Sequence, residues 1–188
     1  MKVLLINGSA KEKGCTFTAL SEVARGLNES GVETEILSLG TKPVADCMGC
    51  GKCRETGACV FGDIVNEIVE KAKTADGFVF GSPVYYAHAS GRLLSVLDRA
   101  FYSGGKEFAF KPGAAVVSAR RGGTTASLEV INKHFSINQV PIVTSNYWNM
   151  VHGNTMYNLG RNMAWMIKCI QAGPEHPQNE KESTNFIR

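Results

Sequence analysis

A chain of 188 residues, 44% hydrophobic and 20% charged, has the balance of a globular protein large enough for one full core. Its formal net charge of +3 is too small to imply a nucleic-acid partner. No apolar run approaches the roughly eighteen residues of a membrane span, so no membrane association is expected. In MKVLLINGSA only four consecutive apolar residues precede Asn7, too few for a secretory leader. The six cysteines are therefore expected in a reducing cytoplasm, where metal binding or catalysis outranks disulfide formation.

Strands and helices alternate along the chain. Residues 3–6 (VLLI) are a short apolar run stopped by Asn7-Gly8, the pattern of a buried strand. Phe17, Leu20, Val23, Ala24 and Leu27 recur at helical spacing, and that helix ends near Gly31. Residues 32–39 alternate as a second strand, and a cysteine-rich loop comes next. Asp63 is placed to cap a helix whose stripe is Ile64, Ile68 and Ala72, widened by Val65 and Val69. Residues 77–81 (GFVFG) predict a third strand, ended by Ser82-Pro83, and residues 90–102 a helix. Residues 114–118 (AAVVS) predict a fourth strand, 124–135 a helix, 140–145 a fifth strand and 158–171 a last helix with Cys169 in the core. Five apolar strands separated by helices predict an α/β, doubly wound parallel sheet covered on both faces. Residues 1–172 form one domain in this reading, and 173–188 a polar C-terminal tail.

Such sheets bind ligands beyond the carboxyl ends of their strands, which directs attention to three loops. NGSAKEKGCTFT, after strand one, brings the hydroxyls of Ser9, Thr16 and Thr18, the charges of Lys11 and Lys13, and a helix start with free N–H groups. That combination suits a phosphate, although a plain helix cap uses the same residues and neither G-x-G-x-x-G nor Walker A is present. GSPVYYAHASGRL, after strand three, sets Tyr85 and Tyr86 where rings can border a planar ligand or pack in a core or interface. His88 has no nucleophile nearby to activate. SARRGGTTAS, after strand four, offers Arg120 and Arg121 to phosphate or carbonyl oxygens, or to solvent alone.

Residues 47–59, CMGCGKCRETGAC, hold four of the six cysteines. Gly49, Gly51 and Gly57 let the backbone bend, so Cys47, Cys50, Cys53 and Cys59 are able to wrap a 4Fe–4S cube. A structural zinc site made of four cysteines usually splits into two knuckles with a longer separation. Redox thiols are a further reading, because Cys50-Gly-Lys-Cys53 is a C-x-x-C with a lysine inside it, and an ordinary thiol-bearing loop is another.

NGSAKEKGCT, GSPVYY, the helix GRLLSVLDRAF and ARRGG together resemble the NADPH-dependent FMN reductase branch of the flavodoxin-like superfamily, over roughly residues 1–170. The resemblance implies a three-layer flavodoxin-like fold with a five-stranded parallel sheet in order 2-1-3-4-5. It implies bound FMN, its phosphate on Ser9, Lys11, Cys15, Thr16 and Phe17, where relatives often carry asparagine in place of Cys15. Ser82, Pro83, Val84, Tyr85 and Tyr86 would flank the ribityl chain and ring, with Ala119, Arg120, Arg121 and Gly122 on the other side. The cysteine spacing, x2-x2-x5, is similar to that of the iron–sulfur flavoproteins and departs from bacterial ferredoxins. The implied activity is that of an NAD(P)H-dependent FMN oxidoreductase with a 4Fe–4S cluster as electron relay. A nicotinamide nucleotide would be the donor, and a small molecule or redox protein the acceptor. No protein acid, base or nucleophile is required, so no catalytic side chain is assigned. The resemblance also implies a homodimer or homotetramer, with the cluster of one protomer near the flavin of another. Tyr147, Trp148, Met150 and Met156 are available to cover the flavin, meet a partner or finish the core. A non-enzymatic flavodoxin-like carrier and a cysteine-based zinc or redox module are the competing readings.

Overall fold

The computed structural model describes residues 1–151 and 153–178. The apolar run after Met1 forms β1 (Lys2–Asn7), and α1 (Cys15–Glu29) leads from it to β2 (Glu33–Ser38), which pairs with β1 in parallel. A long loop containing the one-turn helix α2 (Cys53–Thr56) leads to α3 (Ile64–Ala72). β3 (Gly77–Tyr85) then pairs with the other side of β1, also in parallel. The two-residue strand β4 (His88–Ala89) folds back antiparallel on the end of β3. α4 (Gly91–Gly104), a 3-10 turn (Gly105–Glu107), β5 (Gly113–Ser118), α5 (Thr124–Ile137) and α6 (Gly153–Ala172) complete the described elements, with β5 parallel to β3.

Alternation along each strand builds the two faces. Val3, Leu5, Val79 and Val116 point to the side covered by α1 and α6. Leu4, Ile6, Phe78, Phe80 and Val117 point to the side covered by α3, α4 and α5. The result is the expected three-layer α/β arrangement. α1 and α6 meet through glycine: a Cβ at Gly160 would lie 2.2 Å from the Val23 carbonyl oxygen, and one at Gly26 2.3 Å from that of Tyr157. Asp63 caps α3 as its sequence position implies, its carboxylate accepting from the Val65 N–H at 3.2 Å.

Three expectations change. The long strands run β2-β1-β3-β5, so β5 is the predicted fourth strand, but residues 140–145 form no regular fifth one. They touch β5 through an isolated parallel bridge, Gly113 to Ile142, and a second bridge joins Val117 to Met150. Pro141 lacks a donor, and side-chain amides of Asn149 and Asn162 take the Val143 and Thr144 carbonyls, so the chain leaves the edge and returns at Asn149. Ser82-Pro83 does not end β3, which continues to Tyr85 with Pro83 opposite Ser118. The side where the Pro83 N–H would point lies beyond the end of β1, so no ladder bond is lost. Cys169 is exposed rather than in the core, because it lies off the buried stripe of Leu159, Met163 and Ile167 on α6. Of the aromatic and methionine group, Met156 is buried, while Tyr147 and Trp148 are exposed.

Candidate functional site

The carboxyl ends of β1, β3 and β5 lie on one edge of the sheet, with β3 running past Asn7 and Ser118 to Tyr85, and their loops form one rim. Asn7, fully buried at the end of β1, holds the first loop: its amide nitrogen donates to the Glu12 carbonyl and Ser38 Oγ, and its Oδ1 accepts from the Ser9 N–H at 3.1 Å. Ser9 is buried and its Oγ accepts from the N–H of Lys11, whose side chain is exposed. α1 then starts at Gly14 with no side-chain cap. The amides of Cys15, Thr16 and Phe17 have no partner among the described residues, the first bonded amide being that of Thr18. Three unpaired N–H groups at the positive end of a fifteen-residue helix are a ready anion site. Cys15 is exposed there, Phe17 half-buried, and buried Thr16 joins Ser118 Oγ at 2.8 Å, tying α1 to the end of β5.

On the β3 side, Ser82 is buried with its hydroxyl engaged, donating to the Pro83 carbonyl and accepting from the Ser90 N–H at the start of α4. Pro83 and Val84 are half-buried. The Tyr85 hydroxyl accepts from the Ala10 N–H at 3.4 Å, linking this strand end to the first loop. Tyr86 is fully exposed with φ 61°, a left-handed backbone that a bulky side chain rarely adopts. Gly123, φ 96°, lets the β5 loop approach: a Cβ there would lie 2.7 Å from the Ala87 carbonyl oxygen. Val84, Tyr86, Ala119, Arg120, Arg121 and Gly122 consequently line one cleft of about 550 Å³. Its two arginines are exposed at the edge of the cleft.

The cysteine loop makes a second centre. Gly49 (φ 66°) and Gly51 (φ 72°) turn the chain, and Cys47, Cys50, Cys53 and Cys59 line one cavity of about 460 Å³ with Phe61, Arg99 and Tyr102. All four are free thiols. Cys59 is held by a two-way clamp, its N–H donating to Asn66 Oδ1 and its carbonyl accepting from Asn66 Nδ2. Among the described residues no three cysteine, histidine or carboxylate side chains are placed to hold a single metal ion. Thiolate sulfur is the donor that both zinc and iron–sulfur groups take, so the lining of this cavity is chemically compatible with either. Buried Arg99 forks onto Asp63 at 2.7 and 2.9 Å. Burial works against charge on Asp63, yet the Arg99 and Val65 hydrogen bonds outweigh it and hold the carboxyl below its ordinary range. Asn7, Ser118, Asn66 and Arg99 carry no motif of their own. Only the LDR sequence in α4 signalled Arg99, and only as part of a family pattern.

Residues 1–155 match the NADPH-dependent FMN reductase family. The chain belongs to that family. It is thus an oxidoreductase of an FMN-dependent family. This FMN reductase family member is 33% identical over 192 residues to an iron–sulfur flavoprotein of Methanocaldococcus jannaschii, covering 91% of this chain and 100% of that one. An iron–sulfur flavoprotein of Methanosarcina thermophila is 32% identical over 169 residues, 83% of this chain and 87% of that one. Among solved structures, RosB with bound 8-demethyl-8-formylriboflavin-5'-phosphate superposes with a TM-score of 0.71 at 12% identity, over 99% of this chain and 92% of that one. That likeness shows the shared flavodoxin-like fold. No described helix is long and apolar enough to cross a membrane.

Proposed function

We propose that this protein is an FMN-dependent NAD(P)H oxidoreductase and an iron–sulfur flavoprotein, passing electrons from a nicotinamide nucleotide to a small-molecule or redox-protein acceptor. The observation that carries the reading is the lining of one cavity by four free cysteines on the same chain as an uncapped α1 at the sheet's carboxyl rim. The names of the two iron–sulfur flavoprotein relatives support it. When bound, FMN supplies hydride acceptance and a 4Fe–4S cluster supplies single-electron transfer, chemistry that no side chain provides. The amides of Cys15, Thr16 and Phe17, with Ser9 and Thr16 beside them, bind the phosphate. The segment from Ser82 to Tyr86 and that from Ala119 to Gly122 border the flavin ring, with Arg120 and Arg121 offering positive charge to it. Cys47, Cys50, Cys53 and Cys59 hold the cluster.

Residues 1–172 constitute the cofactor-binding unit in this reading, a reducing cytoplasm keeps its thiols free, and the protein assembles as a homodimer or homotetramer. Anaerobic stopped-flow mixing of the FMN-loaded protein with NADPH and, separately, NADH tests the enzymatic assignment. Flavin bleaching within the turnover time of the acceptor reaction is expected with at least one of them. A flavin that binds but is bleached by neither donor would make the protein a carrier.

A further inference from the structure

Arg99 is the largest fully buried side chain among the described residues, 1% exposed in the middle of α4. Arginine is almost never buried unless its donors are met. Here they are met by the cysteine loop. Nη1 and Nη2 fork onto the Asp63 carboxylate, Nη1 also donates to the Ala45 carbonyl at 3.1 Å, and the guanidinium lies 4.5 Å from the centre of the Phe61 ring. Its remaining inner donor, Nε, reaches Cys59 Sγ at 3.2 Å. One guanidinium thus touches the loop before the first cysteine, at the last one and just beyond it.

A buried ion pair is weak evidence for stability, since apolar packing of the same volume serves as well. The Asp63 fork and the Ala45 contact already satisfy a structural role. The Nε–H aimed at sulfur is left over. We propose that Arg99 is a positioning residue that orients the Cys59 sulfur and sets the reduction potential of the cluster held by the four cysteines; this rests on the iron–sulfur reading above. Adding one electron to such a cluster increases the negative charge on its sulfurs, and a charge-assisted N–H···S bond favours that form. Burial strengthens the effect by excluding water. Asp63 offsets part of the guanidinium charge, so the pair fixes the potential between two extremes. Arg54 and Asp98 also line the cavity, but both are exposed and screened.

The test is a dithionite titration followed by electron paramagnetic resonance on anaerobically reconstituted protein, with iron and sulfide counted for each sample. Arg99→Lys keeps the charge and can still pair with Asp63, but its single nitrogen cannot hold that carboxylate as a fork while donating to Cys59. Its reduction equilibrium should shift about tenfold toward the oxidised cluster, 59 mV for one electron. Asp63→Asn leaves the α3 cap intact, since asparagine caps as well as aspartate, and uncovers the guanidinium charge. It should shift the equilibrium severalfold the other way. Opposite shifts support the assignment. Midpoints equal to wild type in both variants, with cluster lost only through instability, would overturn it while leaving the cluster reading intact. Should Arg99→Lys fail to fold, Asp63→Asn alone decides: an unchanged or lowered midpoint overturns the assignment. Wild-type protein that binds no iron overturns the cluster reading, and this assignment with it.

Discussion

Gly160→Ala separates helix propensity from close packing. By propensity alone, alanine in the interior of α6 should stabilise by about 1 kcal/mol. The structure argues the opposite sign, because the new Cβ would lie 2.2 Å from the Val23 carbonyl oxygen and 2.9 Å from the Leu27 nitrogen, both backbone atoms of α1 that no rotamer can move. Ordinary contact requires the two helices to part by about 1 Å, which forfeits a quarter to a half of the dispersion energy across the gap. The facing side chains, among them Leu20, Val23 and Leu27 against Met156, Leu159 and Met163, are all fully buried. Each is worth about 1.5–3 kcal/mol when buried, so losing a fraction of that along the seam costs about 3 kcal/mol. The net effect is a destabilisation of about 2 kcal/mol, or roughly 4–8 °C in Tm for a chain this size. Thermal unfolding followed by circular dichroism, at fixed FMN concentration, reads it directly. A Tm equal to or above wild type would refute the close-packing argument. Gly26→Ala strains the same seam, so the double variant should fall short of the sum of the singles.

Three other outcomes are expected. FMN should bind about a hundredfold more tightly than riboflavin by fluorescence quenching, two charge-assisted bonds' worth, and Ser9→Ala should narrow that margin; equal affinities would remove the phosphate from the start of α1. The stability advantage of wild type over Asp63→Asn in urea unfolding should be about 2 kcal/mol at pH 7. Because the folded carboxyl titrates below its unfolded value of about 3.9, this advantage is complete above that value and vanishes as pH falls through the lowered one; a pH-independent difference would contradict the ion pair. Cys169→Ser should leave iron content unchanged, whereas Cys53→Ser should lower it, measured by metal analysis after anaerobic reconstitution.

The sheet was legible where apolar runs were unbroken: residues 3–6, 77–81 and 114–118 all lie in strands, and the Asp63 cap was readable because its chemistry is local. Legibility failed where a distant group decided the outcome. Residues 140–145 have a strand's composition, yet the Asn149 and Asn162 side chains divert them from the edge. Pro83 breaks a strand in general but sits here where no neighbour needs its N–H. Cys169 is set among apolar neighbours on α6, but its angle about the helix turns it outward. The four neighbouring thiols and the glycine-bearing loop after β1 were visible as spacing. The groups that hold them in place were not, because Asn7, Asn66 and Arg99 act on partners up to 54 residues away.

In this reading one chain carries both a flavin site and a four-cysteine cluster site. An absorption spectrum of protein purified without oxygen, with iron, acid-labile sulfide and flavin counted on the same sample, tests that most directly. Flavin bands over a broad cluster absorption are expected, with about four irons and four sulfides per chain. Flavin bands with no iron would contradict the role given to Cys47, Cys50, Cys53 and Cys59, and protein that takes up neither chromophore would contradict both sites together.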